Sequence, residues 1–186
     1  PFIYSTKMDP AVVARYPGPR IPLWTQGGIG TYALKDQELV LDAGGNVTVT
    51  LERLLGWAGA ERFVFVGCDL AWQGQRTHVE GHHHAVWLHS YNPLEDVKLT
   101  SLHGETIYTH PGFLAAKRDI EKDIAASKAG FFNLYGGGAV IEGAVHVTPG
   151  DLVSGELLTS QGAAKDVFLQ ALARAGKPRV RPVFAP

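Results

Sequence analysis

The chain has 186 residues, of which 45% are hydrophobic and 19% are charged, and its formal net charge is -1. This composition is typical of a folded domain and excludes a chain that is disordered throughout. The near-neutral charge argues against a basic nucleic-acid clamp, so we expect no nucleic-acid partner. The single cysteine, Cys68, excludes an internal disulfide framework and a zinc site built from cysteines.

The sequence carries no targeting or membrane signal. No stretch approaches the roughly 18 apolar residues of a membrane-spanning helix, and no charged-then-apolar signal peptide precedes the first element. We therefore expect a cytoplasmic protein without a membrane span. The chain begins with Pro1 and enters an apolar, strand-like stretch at once, which leads us to interpret it as a piece of a longer protein.

The N-terminal part predicts two short strands and a helix. Residues 2–5 are apolar and predict a strand, and Asp9 followed by Pro10 predicts a capped helix that runs to about Arg15. Residues 21–26 predict a second strand. Because Pro22 cannot donate a backbone hydrogen bond, we expect this strand at the edge of a sheet.

A strand, a turn and a helix follow at 39–58. Residues 39–41 are apolar, and residues 42–46 form a glycine-containing turn. The β-branched run at 47–50 favours a strand, but the spacing of the apolar residues and Gly59 favour a helix over 47–58. Its predicted apolar face consists of Val47, Leu51, Leu54, Leu55 and Ala58.

The rest of the chain alternates strands with helices. Residues 62–66 predict a strand buried on both faces of a parallel sheet, and residues 70–105 predict a long irregular segment. Strands are expected at 106–109 and 131–135, separated by a helix over 112–128. Residues 140–147 are an apolar, glycine-interrupted stretch, residues 148–150 predict a turn, and Ser160 caps a helix that ends near Ala175.

This alternation predicts a three-layer, Rossmann-like α/β fold with a mainly parallel sheet flanked by helices. We place one domain at 1–150 and a helical extension with a basic tail at 151–186. In parallel sheets, ligands bind beyond the carboxyl ends of the strands. The residues that follow each predicted strand are therefore the first candidates for a site.

The first candidate is Gly44, Gly45 and Asn46, which lead into the helix at 47. Glycines allow a ligand to approach the backbone, and the free N–H groups of a helix start attract phosphate. The sequence has neither GxxxxGK[ST] nor GxGxxG. A plain strand-to-helix turn is the alternative.

Two further strand ends carry suitable residues. Gly67 and Asp69 follow the strand at 62–66, where a carboxylate can accept from a ribose hydroxyl, hold a metal, orient a histidine, or simply cap a turn. Nothing near Cys68 lowers the pKa of its thiol, which favours a small buried side chain over a nucleophile. Gly136 and Gly137 follow the strand at 131–135 and permit either a close ligand or a bulge.

Histidines are a second source of candidates. His78 is followed closely in the sequence by His82, His83 and His84. Imidazoles bind zinc or act in acid–base chemistry near neutral pH. Gly81 argues against a regular helical pair, so we assign no metal site and leave phosphate contact and a solvated loop as alternatives. His110 stands before Pro111, at a predicted helix start, and is a candidate catalytic base.

Three segments of the chain resemble the central domain of bacterial motility accessory factor proteins. They are GGNV at 44–47 with FVFVGCDLAW at 63–72, THVEG at 77–81, and NLYGGGAVIEG at 133–143. The family has a strand that ends in Gly-Gln-Asp-Leu-Ala-aromatic, then Thr/Ser-His-Ala-x-Gly, and later Asn/Asp-x-Thr-x-Gly-Gly-Ala-x-Ile-x-Gly. Order and spacing agree across about residues 1–150.

The resemblance implies an activity and a fold. The family contains flagellin glycosyltransferases that transfer CMP-activated nonulosonic acids, pseudaminic or legionaminic acid, to Ser or Thr, and its fold is similar to that of bacterial sialyltransferases. We expect a CMP-sugar donor as substrate, flagellin or another acceptor protein as partner, and no firmly assigned cofactor. An archaeal relative is a 6-hydroxymethyl-dihydropterin diphosphokinase, which uses ATP and magnesium.

Residue roles follow from the same resemblance. Gly44, Gly45 and Asp69 match positions at the sialyltransferase nucleotide site, and His110 is the nearest counterpart of the catalytic histidine. We therefore assign Asp69, His78 and His110 to catalysis. The nucleotide-binding residues are then Gly44, Gly45, Asn46, Gly67, Gly136 and Gly137.

Three departures from the family pattern leave alternatives open. Cys68 stands where the family has Gln, and the expected Gly-Pro-Ser-Leu nucleotide loop is absent, as is the Asp-rich segment of the diphosphokinase branch. Either the parent protein is longer, or the chain is catalytically incomplete. The alternatives to a glycosyltransferase are an ATP- and Mg-dependent diphosphokinase, a non-catalytic module that binds a partner such as flagellin, and a zinc protein built on the histidines.

Overall fold

The computed structural model describes residues 1–25, 39–42, 45–72, 91–154 and 163–175. Within these ranges the chain forms eight strands and five helices. In chain order they are β1 (Phe2–Ser5), α1 (Pro10–Arg15), β2 (Arg20–Thr25), β3 (Leu39–Leu41), α2 (Val47–Trp57), β4 (Arg62–Val66), β5 (Val97–Thr100), β6 (Thr106–Thr109), α3 (Pro111–Ala126), β7 (Gly130–Leu134), β8 (Val145–Val147), α4 (Pro149–Ser154) and α5 (Ala163–Ala175).

The chain packs as two compact units. The first comprises Pro1–Gly59 and the segment from Gly162 onward, and the second comprises Ala60–Gln161. The first contains the parallel sheet β1-β2-β3, and the second contains the parallel sheet β4-β7-β8 and the antiparallel pair β5-β6. The predicted boundary at residue 150 stays a prediction.

The start of the first unit confirms the predicted strand and helix. β1 is followed by α1, whose N-cap is Asp9, and the Asp9 Oδ1 accepts a hydrogen bond from the N–H of Ala11 at 2.8 Å. Pro10 occupies the first turn, where its missing N–H costs nothing. Local capping chemistry thus suffices to define α1.

β2 is the central strand of its sheet, so the prediction of an edge strand is wrong. The carbonyls of Pro19 and Leu23 accept from the N–H groups of Phe2 and Thr6, at 2.7 and 3.4 Å. The backbone groups of successive residues in a strand point alternately to its two neighbouring strands. Since Pro19 and Leu23 face β1, the N–H that Pro22 lacks would have pointed towards β3. The described pairing with β3 begins only at Leu23, so Pro22 removes no described ladder bond.

α2 forms despite its β-branched first turn because that turn is capped. The Asn46 Oδ1 accepts from the N–H of Thr48 at 2.8 Å, and the Thr50 hydroxyl donates to the Asn46 carbonyl at 2.9 Å. Arg53 pairs with Asp42 at 2.9 Å across the turn. The predicted helix is confirmed.

The predicted apolar face of α2 is only partly right. Leu54 and Ala58 are buried, whereas Val47 is 75% exposed, and Leu51 and Leu55 are also exposed. Val49 is fully buried instead, on a different side of the helix. Helical spacing defined a possible face, and the neighbouring elements determined which residues were covered.

The second sheet is built around stacked phenylalanines. Phe63 and Phe131 stack at 4.7 Å between ring centroids, and Phe65 lies 6.2 Å from Phe131. β4 is an outer strand among the described strands, and Val66 is 67% exposed. The prediction that residues 62–66 are buried on both faces is therefore wrong.

Three elements lie where none was predicted, and one of them is β8, within the apolar stretch at 140–147. Residues 97–100 form β5, which pairs with β6, so the segment 70–105 is not irregular throughout. Residues 149–154 form α4, where a turn was expected at 148–150. The helix predicted from Ser160 is described as α5 over Ala163–Ala175, and Ser160 itself lies outside the described residues.

The coarse fold prediction is confirmed: the chain is mixed α/β, with parallel sheets flanked by helices. Six of the eight described strands divide between two three-stranded parallel sheets, and β5 and β6 form a separate antiparallel pair. A sialyltransferase-like arrangement stays a prediction. In the part of the chain that the structure describes, no helix has the length and apolar character needed to cross a membrane.

The cap of α4 makes its stability pH-dependent. The Thr148 N–H and hydroxyl both donate to the Asp151 Oδ2 at 2.7 Å, which lowers the pKa of this carboxyl below the ordinary 3.8. A lowered folded-state pKa means that the cap stabilises α4 above pH 3.8 and that this contribution is lost as the pH falls through the folded-state pKa.

A carbon NMR titration of the Asp151 carboxyl tests this prediction. In Thr148→Val the backbone N–H donor remains and the hydroxyl donor is gone, so the pKa should rise only part of the way to the ordinary value. An Asp151 that titrates at the ordinary value in the wild type contradicts the prediction.

Candidate functional site

The strand ends of the second sheet are level with one another. In the register of the sheet, Val66 of β4 lies beside Leu134 of β7, and Leu134 lies beside Val147 of β8. Since the three strands are parallel, the residues that follow them emerge at one edge. This edge carries 67–69, 135–138 and 148, and it includes four of the predicted site residues.

The loop after β7 contacts the loop after β4 directly. We call residues 135–139 the glycine loop. The Ala139 N–H donates to the Asp69 carbonyl at 2.8 Å, and a Cβ on Gly138 would lie 2.3 Å from that oxygen. Gly138 also has φ +82°, which L side chains rarely adopt. The loop that contains Gly136 and Gly137 thus packs against the backbone of Asp69.

Gly136 and Gly137 differ from Gly138 in what surrounds them. A Cβ on Gly136 would have no atom within 4 Å, and Gly137 has φ +133°. Among the described residues, none accepts a hydrogen bond from the N–H of either glycine. Gly138 is therefore required by packing, whereas the backbone at Gly136 is open to a ligand.

The segment around Asp69 is held in an unusual conformation. Gly67 has φ +66° and Leu70 has φ +48°, which is uncommon for a residue with a side chain. The buried Thr109 hydroxyl donates to the Leu70 carbonyl at 2.6 Å, and the Trp72 N–H donates to the Tyr108 carbonyl at 2.9 Å. These bonds from β6 offset the local strain and fix the backbone beside Asp69.

His110 serves as the N-cap of α3. Its Nδ1 accepts from the Gly112 N–H at 3.1 Å, and its ring lies edge-on to Phe113. An Nδ1 that accepts cannot carry a proton, so neutral His110 carries its proton on Nε2. In this conformation the Nε2–H can donate a hydrogen bond but has no lone pair with which to take up a proton, which disfavours the predicted role of base.

Three aromatic side chains at this edge escaped the sequence reasoning. Tyr135 lies between His103 and His146, with ring centroids at 5.8 and 5.2 Å and both pairs edge-on. The buried Nδ1 of His146 has no hydrogen-bond partner among the described residues. A sequence signal for this cluster existed, because His146 interrupts the apolar run 145–147 and Tyr135 directly follows a strand.

The predicted residues near α2 belong to the first unit, not to this sheet. β3 and β4 are members of different sheets, so Gly45 and Asp69 do not end neighbouring strands. Gly45 is exposed with φ +71°, and the side chain of Asn46 is used as a helix cap. Gly44 lies outside the described residues.

The histidine segment also lies outside the described residues, including His78. Its predicted catalytic role stays a prediction. Among the residues that are described, no group of three or more His, Cys, Asp and Glu side chains could hold a metal ion. We therefore build the site on Asp69, the glycine loop and His110.

Cys68 lies within this edge but is a poor nucleophile. Burial, and secondarily the negative charge of Asp69, raise the pKa of its thiol to about 11 from 9.0. Because the thiolate is the reactive form, the thiol stays protonated near neutral pH. The interpretation of Cys68 as a small, largely buried side chain agrees with this.

No protein-family model, curated protein or solved structure matches the chain. The resemblance to motility accessory factors therefore rests on the sequence motifs alone, and the activity that it implies stays a prediction. The geometry of the second unit is independent of that resemblance.

Alanine substitutions at Gly138 and Gly136 test which of these two glycines is required by packing. We expect Gly138→Ala to lower the free energy of unfolding by at least about 2 kcal/mol, because a Cβ overlaps the Asp69 carbonyl and φ is positive. Gly136→Ala meets no atom within 4 Å and should change stability by less than about 0.5 kcal/mol. Urea unfolding of the full chain measures both, and equal effects would show that the loop contact is absent.

The reactivity of Cys68 provides a separate measurement. At about pH 8 the folded chain should react with iodoacetamide roughly 100-fold more slowly than the chain unfolded in urea, because the thiolate fraction is smaller by that factor. Asp69→Asn removes only the lesser cause and should restore only part of the rate. Similar rates in the folded and unfolded chain contradict the raised pKa.

Proposed function

We propose that the chain is a nucleotide-sugar-dependent glycosyltransferase domain of the motility accessory factor type, with the donor bound at the carboxyl edge of the second sheet. The observation that supports this best is the contact of the Asp69 carbonyl with Gly138 and Ala139. Because of this contact, Asp69 and the open backbone of Gly136 lie at the carboxyl edge of the same sheet, which is where nucleotides bind in α/β sheets.

The donor phosphate fits the glycine loop better than the start of α2. The N–H groups of Gly136 and Gly137 donate to no acceptor among the described residues, and Gly136 has no side chain that would keep an anion away. At α2, by contrast, the Asn46 Oδ1 already accepts from the Thr48 N–H. Backbone N–H groups without a side chain above them are a common means of binding phosphate.

Asp69 is suited to a different part of the donor. Its negative charge would repel a phosphate, whereas a carboxylate accepts hydrogen bonds from neutral ribose hydroxyls. In the proposed complex Asp69 binds the ribose and the loop binds the phosphate.

In the proposed reaction His110 stabilises the leaving group by a hydrogen bond from its Nε2–H and keeps its proton. The bond between the sugar carbon and the phosphate oxygen breaks, the acceptor Ser or Thr oxygen forms a new bond to that carbon, and the acceptor releases its proton. The Nε2–H of His110 donates a hydrogen bond to the departing phosphate oxygen. His78 and His110 were the two predicted candidates for the base that takes the acceptor proton, and with Nε2 of His110 protonated we propose His78 for this role.

Titration of the full chain with CMP, with ATP and Mg²⁺, and with inorganic phosphate tests the proposal. CMP at 100 times its Kd should stabilise the chain by about 2.7 kcal/mol. Asp69→Asn should weaken CMP binding about tenfold and should not weaken phosphate binding, because it removes a negative charge beside the loop. Glu95→Gln, a matched change at an exposed carboxylate of the same unit, should have no effect.

The outcomes distinguish the candidate functions. Binding of ATP only, with a requirement for Mg²⁺, would favour the diphosphokinase over the glycosyltransferase. A chain that binds none of the three ligands contradicts both enzymes and favours a non-catalytic, partner-binding module.

A further inference from the structure

The hydroxyl of Tyr135 joins two separate segments of the second unit. It accepts from the Leu102 N–H and donates to the Gly138 carbonyl, both at 2.9 Å. Leu102 lies in the turn between β5 and β6, and Gly138 lies in the glycine loop. One side chain thus connects the β5–β6 turn to the proposed phosphate loop.

The β5–β6 turn is itself well ordered by hydrogen bonds. The hydroxyl of Ser101, which is 6% exposed, accepts from the N–H groups of His103 and Glu105 at 3.2 and 3.1 Å, and the Ser101 N–H donates to the Glu105 carbonyl at 2.9 Å. The N–H of Leu102 therefore points out of a fixed turn. It offers Tyr135 a donor in a defined position.

The ring of Tyr135 is fixed as firmly as its hydroxyl. His103 and His146 pack edge-on to it at 5.8 and 5.2 Å, and its own N–H donates to the Val147 carbonyl at 3.3 Å. Rotation of the phenol would break ring contacts and both hydroxyl bonds together. Tyr135 is thus a rigid start for a loop that is otherwise glycine.

The glycine loop is held at both sides of its open residues. On the N-terminal side, the Tyr135 N–H donates to the Val147 carbonyl at 3.3 Å. On the C-terminal side, the peptide that joins Gly138 to Ala139 is held at both of its polar groups, because its carbonyl accepts from the Tyr135 hydroxyl and its N–H donates to the Asp69 carbonyl. Between these points lie Gly136 and Gly137, which have the greatest conformational freedom of all residue types. Without the hydroxyl, these two glycines would become ordered only when the ligand binds. The conformational entropy lost at that step would weaken binding.

We propose that Tyr135 is a positioning residue, whose hydroxyl holds the glycine loop in the shape that presents the Gly136 and Gly137 N–H groups to a phosphate. The phosphate as ligand rests on the proposed function, whereas the ordering of the loop does not. Tyr135 itself does not contact the phosphate; it acts through the backbone of residues 136–138.

The experiment compares Tyr135→Phe with Tyr108→Phe. Tyr108 stacks on Tyr91 at 4.4 Å, and its hydroxyl has no hydrogen-bond partner among the described residues, so it controls for the loss of a phenolic hydroxyl in the same unit. The first readout is amide hydrogen exchange at Leu102 and Ala139. We expect about tenfold faster exchange in Tyr135→Phe only, the factor for losing one hydrogen bond of ordinary net strength.

The second readout is affinity for CMP and for inorganic phosphate, measured by calorimetry. Tyr135→Phe should weaken both by a similar factor of about ten, because the loop binds the group that they share. The comparison variant is Asp69→Asn, which is expected to weaken CMP binding and to spare phosphate. A loss of phosphate affinity in Tyr135→Phe but not in Asp69→Asn would therefore assign the effect of Tyr135 to the glycine loop. Tyr108→Phe should bind both ligands as the wild type does.

Each outcome decides the proposal. Unchanged exchange at Leu102 and Ala139 overturns it, as does faster exchange with unchanged phosphate affinity. A wild type that binds neither CMP nor phosphate overturns the proposed function and the phosphate role, while the exchange rates still decide whether Tyr135 orders the loop. If Tyr135→Phe does not fold, NMR of the wild type decides: a Tyr135 hydroxyl proton that exchanges freely with water contradicts the two hydrogen bonds.

Discussion

The carbonyl oxygen of Asp69 leaves no room for a side chain at residue 138, and this contact determines how the second unit presents its strand ends. Because a Cβ at Gly138 would lie 2.3 Å from that oxygen, the loops after β4 and β7 can meet only through a glycine. The Ala139 N–H then bonds the same carbonyl at 2.8 Å. With the two backbones joined, the Asp69 side chain and the open backbone of Gly136 necessarily share one edge of the sheet.

Side chains that look like ligand groups in the sequence are largely used to hold the backbone. Asn46 and His110 cap α2 and α3, and the Thr109 hydroxyl bonds the Leu70 carbonyl at 2.6 Å. Such bonds satisfy backbone groups that helix ends and irregular loops leave without a partner. Among the described residues of the second unit, these bonds leave the N–H groups of Gly136 and Gly137 and the Nε2–H of His110 without an acceptor.

Sequence reasoning succeeded where the decisive interactions were local. The Asp9 cap predicted α1, and helical spacing with a cap outweighed the β-branched start of α2. It failed where neighbours decided the outcome. Pro22 lies in a central strand because the described β3 pairing begins one residue later, and Val47 is exposed although it lies on the predicted apolar face. The short strand β5 carries too little periodicity to be predicted without β6, its partner.

The same distinction applies to the candidate site. The sequence by itself determined that Asp69, Gly136 and Gly137 follow strands, and parallel strands then bring them to one edge, since that direction is a property of the sheet type. Only the tertiary structure decided that Tyr135 bonds Leu102, 33 residues away, and that Thr109 bonds Leu70, 39 residues away. The physical reason is distance along the chain: caps and turns join residues a few positions apart, whereas these bonds exist only after the sheet and the β5–β6 pair have packed.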